Sequence, residues 1–197
     1  MNDHIQICDL IVRERQCRVT QRIDELEQCY HPDATVTTSW TAKDVPVSEY
    51  LHGGKAPVHD PEFPIISRLA PLVVHQCGNR AYVEAPQTTI RWVSVNGVKA
   101  VLTYYIRLIY CVEKRDDTWK ITDNRGIYEG DQLAPEIPGT ALELDCEKLR
   151  SFRHPVRYLS YVDGNVSQEL PGIDRPEQVK ELYAQAEKWI NESVKED

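Results

Sequence analysis

Two charged residues sit two apart near the end of the most readable stretch of the chain. They are Asp123 and Arg125 in Thr118-Trp-Lys-Ile-Thr-Asp-Asn-Arg-Gly-Ile-Tyr128. This segment reads as a strand, and strict alternation puts Trp119, Ile121, Asp123, Arg125 and Ile127 on one face. Trp119 and Ile121 call for burial, so a continuous face carries Asp123 and Arg125 inward with them. A buried carboxylate is costly unless paired or hydrogen-bonded. Desolvation also raises its pKa, which suits a group that must take up a proton. The alternative is that the strand leaves the core after Ile121 and both residues are wet.

The neighbouring strand supplies further candidates. Over Lys99–Lys114, the residues Leu102, Tyr104, Ile106, Leu108, Tyr110 and Val112 share an apolar and aromatic face. The other face, Thr103 to Glu113, is half-polar and reads as solvated or as a wet interface. In the strand before it, Ala81, Val83 and Ala85 lead on the same face to Gln87, Thr89 and Arg91, provided no bulge intervenes. Small residues there leave room for a ligand or for a closely packed helix. His31 falls at a helix end, where a cation favours the dipole. His52 and His59 fall in a proline-rich loop, and His75 lies inside a strand.

The elements that must position these groups follow from periodicity. Residues 4–30 read as one helix with an apolar stripe at Cys8, Val12, Val19, Ile23, Leu26 and Tyr30, opposite Arg13, Arg18, Gln21 and Glu25. Pro32 stops it. Residues 34–40 form a β-branched strand. Residues 41–66, with four prolines and Gly53-Gly54, read as a loop with room for a short helix at 47–51. Strands follow at 69–76, 80–95, 99–114 and 118–128, separated by Gly78-Asn79, the hairpin signal Asn96-Gly97, and Arg115-Asp-Asp117. Sequential hairpins give an antiparallel meander, and strands of this length accumulate twist rather than stay flat. Asp174 and Pro176 open a last helix with a stripe at Val179, Leu182, Tyr183, Ala186 and Ile190. That stripe covers either this domain or a partner subunit.

Composition narrows the function classes. The chain has 197 residues, a formal charge of -8 and 41% hydrophobic residues. That suits one globular domain with a terminal extension. No basic run offers a footprint for nucleic acid or anionic membrane, and no apolar run reaches the length of a membrane span. The six cysteines show neither CxxC nor zinc-ligand spacing. These features predict a cytoplasmic protein with reduced thiols.

Tyr30-His31-Pro32-Asp33-Ala34, a strand ending in Ser39-Trp40, the turn Gly78-Asn79-Arg80-Ala81, and Trp119-Lys120-Ile121 occur in an order that resembles the SnoaL-like branch of the nuclear transport factor 2-like superfamily. The resemblance covers residues 5 to 135. It implies an α+β fold: a cone-shaped, cystatin-like roll whose curved antiparallel sheet packs on N-terminal helices, with residues 136–197 as a C-terminal helical extension. It further implies a homodimer, a small hydrophobic, aromatic or polycyclic ligand, and no metal or organic cofactor. The implied chemistry is that of a lyase, isomerase or cyclase acting next to a carbonyl. Asp123 would shuttle the proton, Tyr104 or Arg125 would hydrogen-bond the enolate, Arg18 or Arg91 would anchor an acidic group, and Trp40 would contact substrate. The helix-borne Tyr and Asp of dehydratase-type relatives have no counterpart in Arg15–Gln21. A non-catalytic binding or dimerisation module therefore stays beside the enzyme reading, as does a ring-opening hydrolase.

Overall fold

The computed structural model describes residues 2–38, 41, 43–52, 60–164 and 173–192. Helix α1 (Asp3–Val19) starts at Asn2, whose side chain accepts the His4 N–H. The single helix expected over 4–30 is in fact two. Gln21 adopts a left-handed φ of 57°, and α2 (Ile23–Gln28) starts afresh after it. The buried face of α1 is Ile7, Leu10, Ile11, Glu14, Arg15 and Cys17, whereas Val12 is exposed. The expected stripe is thus rotated. Two charged residues belong to the inward face because they neutralise each other there.

Strand β1 (Tyr30–Thr37) begins earlier than expected. It tolerates Pro32 because the pairing register slips between Tyr30 and Thr35. It is followed by β2 (Val45–Pro46) and α3 (Val47–His52). Then come β3 (Ile66–Leu69), β4 (Val73–Cys77), β5 (Arg80–Val95), β6 (Val98–Arg115) and β7 (Thr118–Pro135). The sheet order is β2-β1-β7-β6-β5-β3, with β4 also paired to β5. The meander β5-β6-β7 is antiparallel as expected, but β1 runs parallel to β7, so the sheet is mixed. Helix α1 touches β3 and β4 as well as β7, so the sheet curls around it.

Strand β7 runs seven residues past the expected end at Tyr128, because β6 pairs with it along its whole length. Two irregularities decide which β7 side chains face α1. Cys111 pairs with Asp123 and Val112 with Ile121, leaving Thr122 as an extra residue; Tyr105 pairs with Gly130 and Ile106 with Tyr128, leaving Glu129 extra. Each insertion reverses the alternation. The inner face therefore reads Trp119, Ile121, then Asn124, Gly126, Tyr128, then Asp131, Leu133.

The chain beyond β7 covers both faces of the sheet. Helix α4 (Cys146–Ser151), a 3-10 turn at His154–Val156 and α5 (Arg157–Asp163) come first; Val156 and Leu159 join the same core as Ile7, Ile11 and Leu26. Helix α6 (Pro176–Glu192) lays Leu182, Ala186 and Ile190 on Tyr82, Ile109 and Ile127 of the outer face. Its apolar stripe thus covers this domain's own sheet, and the half-polar face of β6 is largely roofed rather than wet. Among the described residues, no helix is long and apolar enough to cross a membrane.

Candidate functional site on the inner face of the roll

Glu14 is the centre of the buried polar groups at the α1 end. Its side chain is fully buried. Oε1 accepts from Arg15 Nη2 (2.8 Å), Arg18 Nε (3.1 Å) and the Tyr30 hydroxyl (2.8 Å). Oε2 accepts from Arg15 Nε (3.1 Å), Arg15 Nη2 (2.6 Å) and the Tyr110 hydroxyl (2.9 Å). Burial alone would raise this carboxyl, but the guanidiniums of Arg15 and Arg18 and these hydrogen bonds hold it down at about 2. Glu14 is therefore a permanent anion, not a base. Tyr50 of α3 completes the group: its phenol hydrogen-bonds Arg15, and its ring lies 4.1 Å from the Arg18 guanidinium carbon.

A second polar group lies further along the same face, where Thr89, Tyr104 and Asp131 are paired in register across β5, β6 and β7. Tyr104 hydrogen-bonds Thr89, whose Oγ1 in turn accepts from Gln87 Nε2 at 2.7 Å. Burial pushes the Tyr104 phenol up, against the pull of Arg91. Arg91 is fully buried and grips Asp163 of α5 with two parallel bonds of 3.0 Å, its guanidinium carbon 5.3 Å from the Tyr104 ring centre. Asp131 Oδ2 accepts the Leu159 N–H at 2.7 Å, while Oδ1 is buried with no hydrogen-bond partner among the described residues. Burial raises this carboxyl to about 6, although the Leu159 and Tyr158 amides draw it down. It is thus ionised in part near neutrality and can accept a proton. The two groups are electrostatically continuous, since Tyr104 also feels Arg15.

The sequence-derived residues distribute unevenly over this geometry. Tyr104, Arg18 and Arg91 all project to the inner face. Asp123 and Arg125 do not, because the extra Thr122 turns them to the outer face, so the pairing of Asp123 with Tyr104 is corrected. Asp123 accepts from Thr35 Oγ1 (2.8 Å) and Arg125 Nε (2.6 Å), and Arg125 reaches Asp44 at 3.1 Å. Burial raises Asp123, and Arg125 opposes the rise. Trp40 and His59 lie outside the described residues. Gln87, Thr89 and Arg91 are buried on one face with Ala81, Val83 and Ala85, as alternation requires. His31 is in β1 rather than at a helix end, its Nε2 3.0 Å from the Glu113 carbonyl, and His75 stacks on Tyr82 beside Glu84. Glu14, Tyr50, Asp131 and Asp163 were not singled out by sequence reasoning, and Tyr30 was named as a stripe and motif residue but not as a site residue. Glu14 carries a signal, standing four residues after Leu10 and three after Ile11, at helical spacing.

No family model matches the chain. An uncharacterised protein of Emericella nidulans is 25% identical over 194 residues, covering 85% of this chain and 77% of its own length. Pea pathogenicity protein 2 of Fusarium vanettenii is 23% identical over 188 residues, covering 85% and 76%. Among solved structures, the hexachlorocyclohexane dehydrochlorinase LinA-type3 of Novosphingobium barchaimii superposes with a TM-score of 0.57 at 14% identity, over 73% of this chain and 95% of its own. A candidate scytalone dehydratase of Novosphingobium aromaticivorans gives 0.53 at 14% identity, over 71% and 95%. The chain shares with these structures the fold of a curved sheet packed on helices, an α+β roll.

Proposed function

We propose that the inner face of this roll binds a small organic molecule and moves a proton on it without a resident cofactor, as an elimination or isomerisation. Asp131 takes the proton from a C–H bond. The electron pair left on carbon either flows to a neighbouring carbonyl oxygen, giving an enolate that the Tyr104 hydroxyl hydrogen-bonds, or expels a leaving group from the next carbon to form a double bond. The observation that carries this reading is the unpartnered Oδ1 of Asp131, buried one strand away from Tyr104 on the same face. The Gln87–Thr89 relay supports it, because a Thr89 hydroxyl donating to Tyr104 leaves the phenol proton free for an oxyanion. The two structural neighbours lend support by analogy of fold, since both are named for removing a small acid or water. The ligand class that fits is a compact, largely apolar molecule, and the working assembly is a homodimer.

A ligand carrier without chemistry is the second reading. What favours it is Glu14, a fully buried carboxylate whose two oxygens are already saturated by arginines and phenols. Screening β-hydroxyketones, hydroxysteroids and chlorinated cyclohexanes for a conjugated or unsaturated product separates the two. Asp131→Asn should lower turnover roughly 100- to 10,000-fold, and Asp123→Asn should leave most of it. Turnover that survives Asp131→Asn but not Asp123→Asn refutes the assignment.

A further inference from the structure

The polar hub on α1 carries one positive charge in excess. Two guanidiniums, Arg15 and Arg18, share the single carboxylate of Glu14, and the other members, Tyr30, Tyr50 and Tyr110, are neutral phenols. The two arginines are not equivalent. Arg15 is committed, with Nε and Nη2 on Glu14 and a further bond to Tyr50. Arg18 gives Glu14 only its Nε, while its Nη2 is buried and has no hydrogen-bond partner among the described residues. The third inward arginine, Arg91, has its charge answered by Asp163.

A shielded guanidinium N–H with no acceptor is unfavourable, and a carboxylate is the acceptor that matches it best in charge and planar geometry. Tyr50 holds the Arg18 plane from one side, so the edge bearing Nη2 is pre-set rather than free to swing. Glu14 cannot supply the missing acceptor, because both its oxygens are already used. We infer that Arg18 is the anchor for a carboxylate group of the ligand, so that this site takes small organic acids in preference to their neutral analogues. The inference narrows the ligand class of the function proposed above and rests on the same inner-face site, but it does not require turnover.

The test is binding of cinnamate and 2-naphthoate against their primary amides, by calorimetry at neutral pH and by the arginine Nε–Hε NMR signals. Each acid should bind at least about tenfold more tightly than its amide, with the Arg18 signal shifting most. Arg18→Met should abolish the preference; it leaves Glu14 bonded to Arg15, Tyr30 and Tyr110, so the fold should persist, and an unchanged NMR fingerprint checks that. Arg18→Lys should retain part of the preference. Asp123→Asn, on the outer face, should bind the acids like the wild type. Equal affinity for acids and amides, no acid binding at all, or a preference that survives Arg18→Met overturns the inference. Loss of the preference with proton transfer intact refutes this anchor alone, and a preserved preference with Asp131→Asn fully active refutes the catalytic reading alone.

Discussion

Replacing Asp131 by Asn should make the protein more stable while disabling it, and the gain should depend on pH in a defined direction. Burial raises the Asp131 carboxyl from 3.8 to about 6. For a fully shielded group that difference corresponds to about 3 kcal/mol at high pH; Asp131 is only part-buried, and solvent screening reduces it to roughly 1–2 kcal/mol. The sign follows from linkage. Well below 3.8 the acid is protonated whether the chain is folded or not, and nothing is lost. As pH rises through 6 the folded protein must ionise a shielded acid, and stability falls. Asn escapes this, and its carbonyl oxygen can still accept the Leu159 N–H that Asp131 holds at 2.7 Å. Urea unfolding should thus show the variant more stable by about 1–2 kcal/mol at pH 8, the gap shrinking to a few tenths near pH 4. A variant that is equally or less stable at pH 8, or a gap that widens on acidification, refutes the claim that Asp131 is a strained, poised carboxyl.

Glu14 should behave oppositely. Its carboxyl is held at about 2 against an ordinary 4.5, so its stabilisation is complete above 4.5 and is lost as pH falls through 2. Glu14→Gln should cost about 3 kcal/mol at pH 7, and the difference from wild type should shrink to about 2 kcal/mol at pH 3.5 by urea titration. Arg91→Met leaves Asp163 unpaired under α5 and should cost about 3 kcal/mol; a double-mutant cycle with Asp163→Leu should recover much of that loss, because the charge left behind is removed.

The architecture was readable where one signal dominated. Asn96-Gly97 marked the central hairpin, and alternation placed Leu102 to Val112 and Ala81 to Arg91 on the inner face, where they lie. Local irregularity defeated the same rule one strand later. Nothing in Ile121-Thr-Asp-Asn announces that Thr122 is an extra residue, because bulges are set by pairing with a partner strand and not by composition. The inward face of α1 was misplaced for another reason. A stripe of Ile7, Leu10, Ile11, Glu14 and Cys17 looks polar at its centre, and only the long-range contacts with Tyr30 and Tyr110 show why a carboxylate can be buried there. Asp163 joins the site through α5, which packs back from far along the chain, a contact beyond the reach of periodicity.

The two extra residues in β7 mean that the inner face is written in changing parity: odd positions to 121, even from 124 to 128, odd again from 131. An ungapped comparison of this stretch with a relative lacking either insertion would match residues that face the inside of the roll with residues that lie on its outer face. Gain or loss of one residue between 121 and 131 would exchange the chemical lining of the strand on one side of the change in a single step, which no point substitution can do.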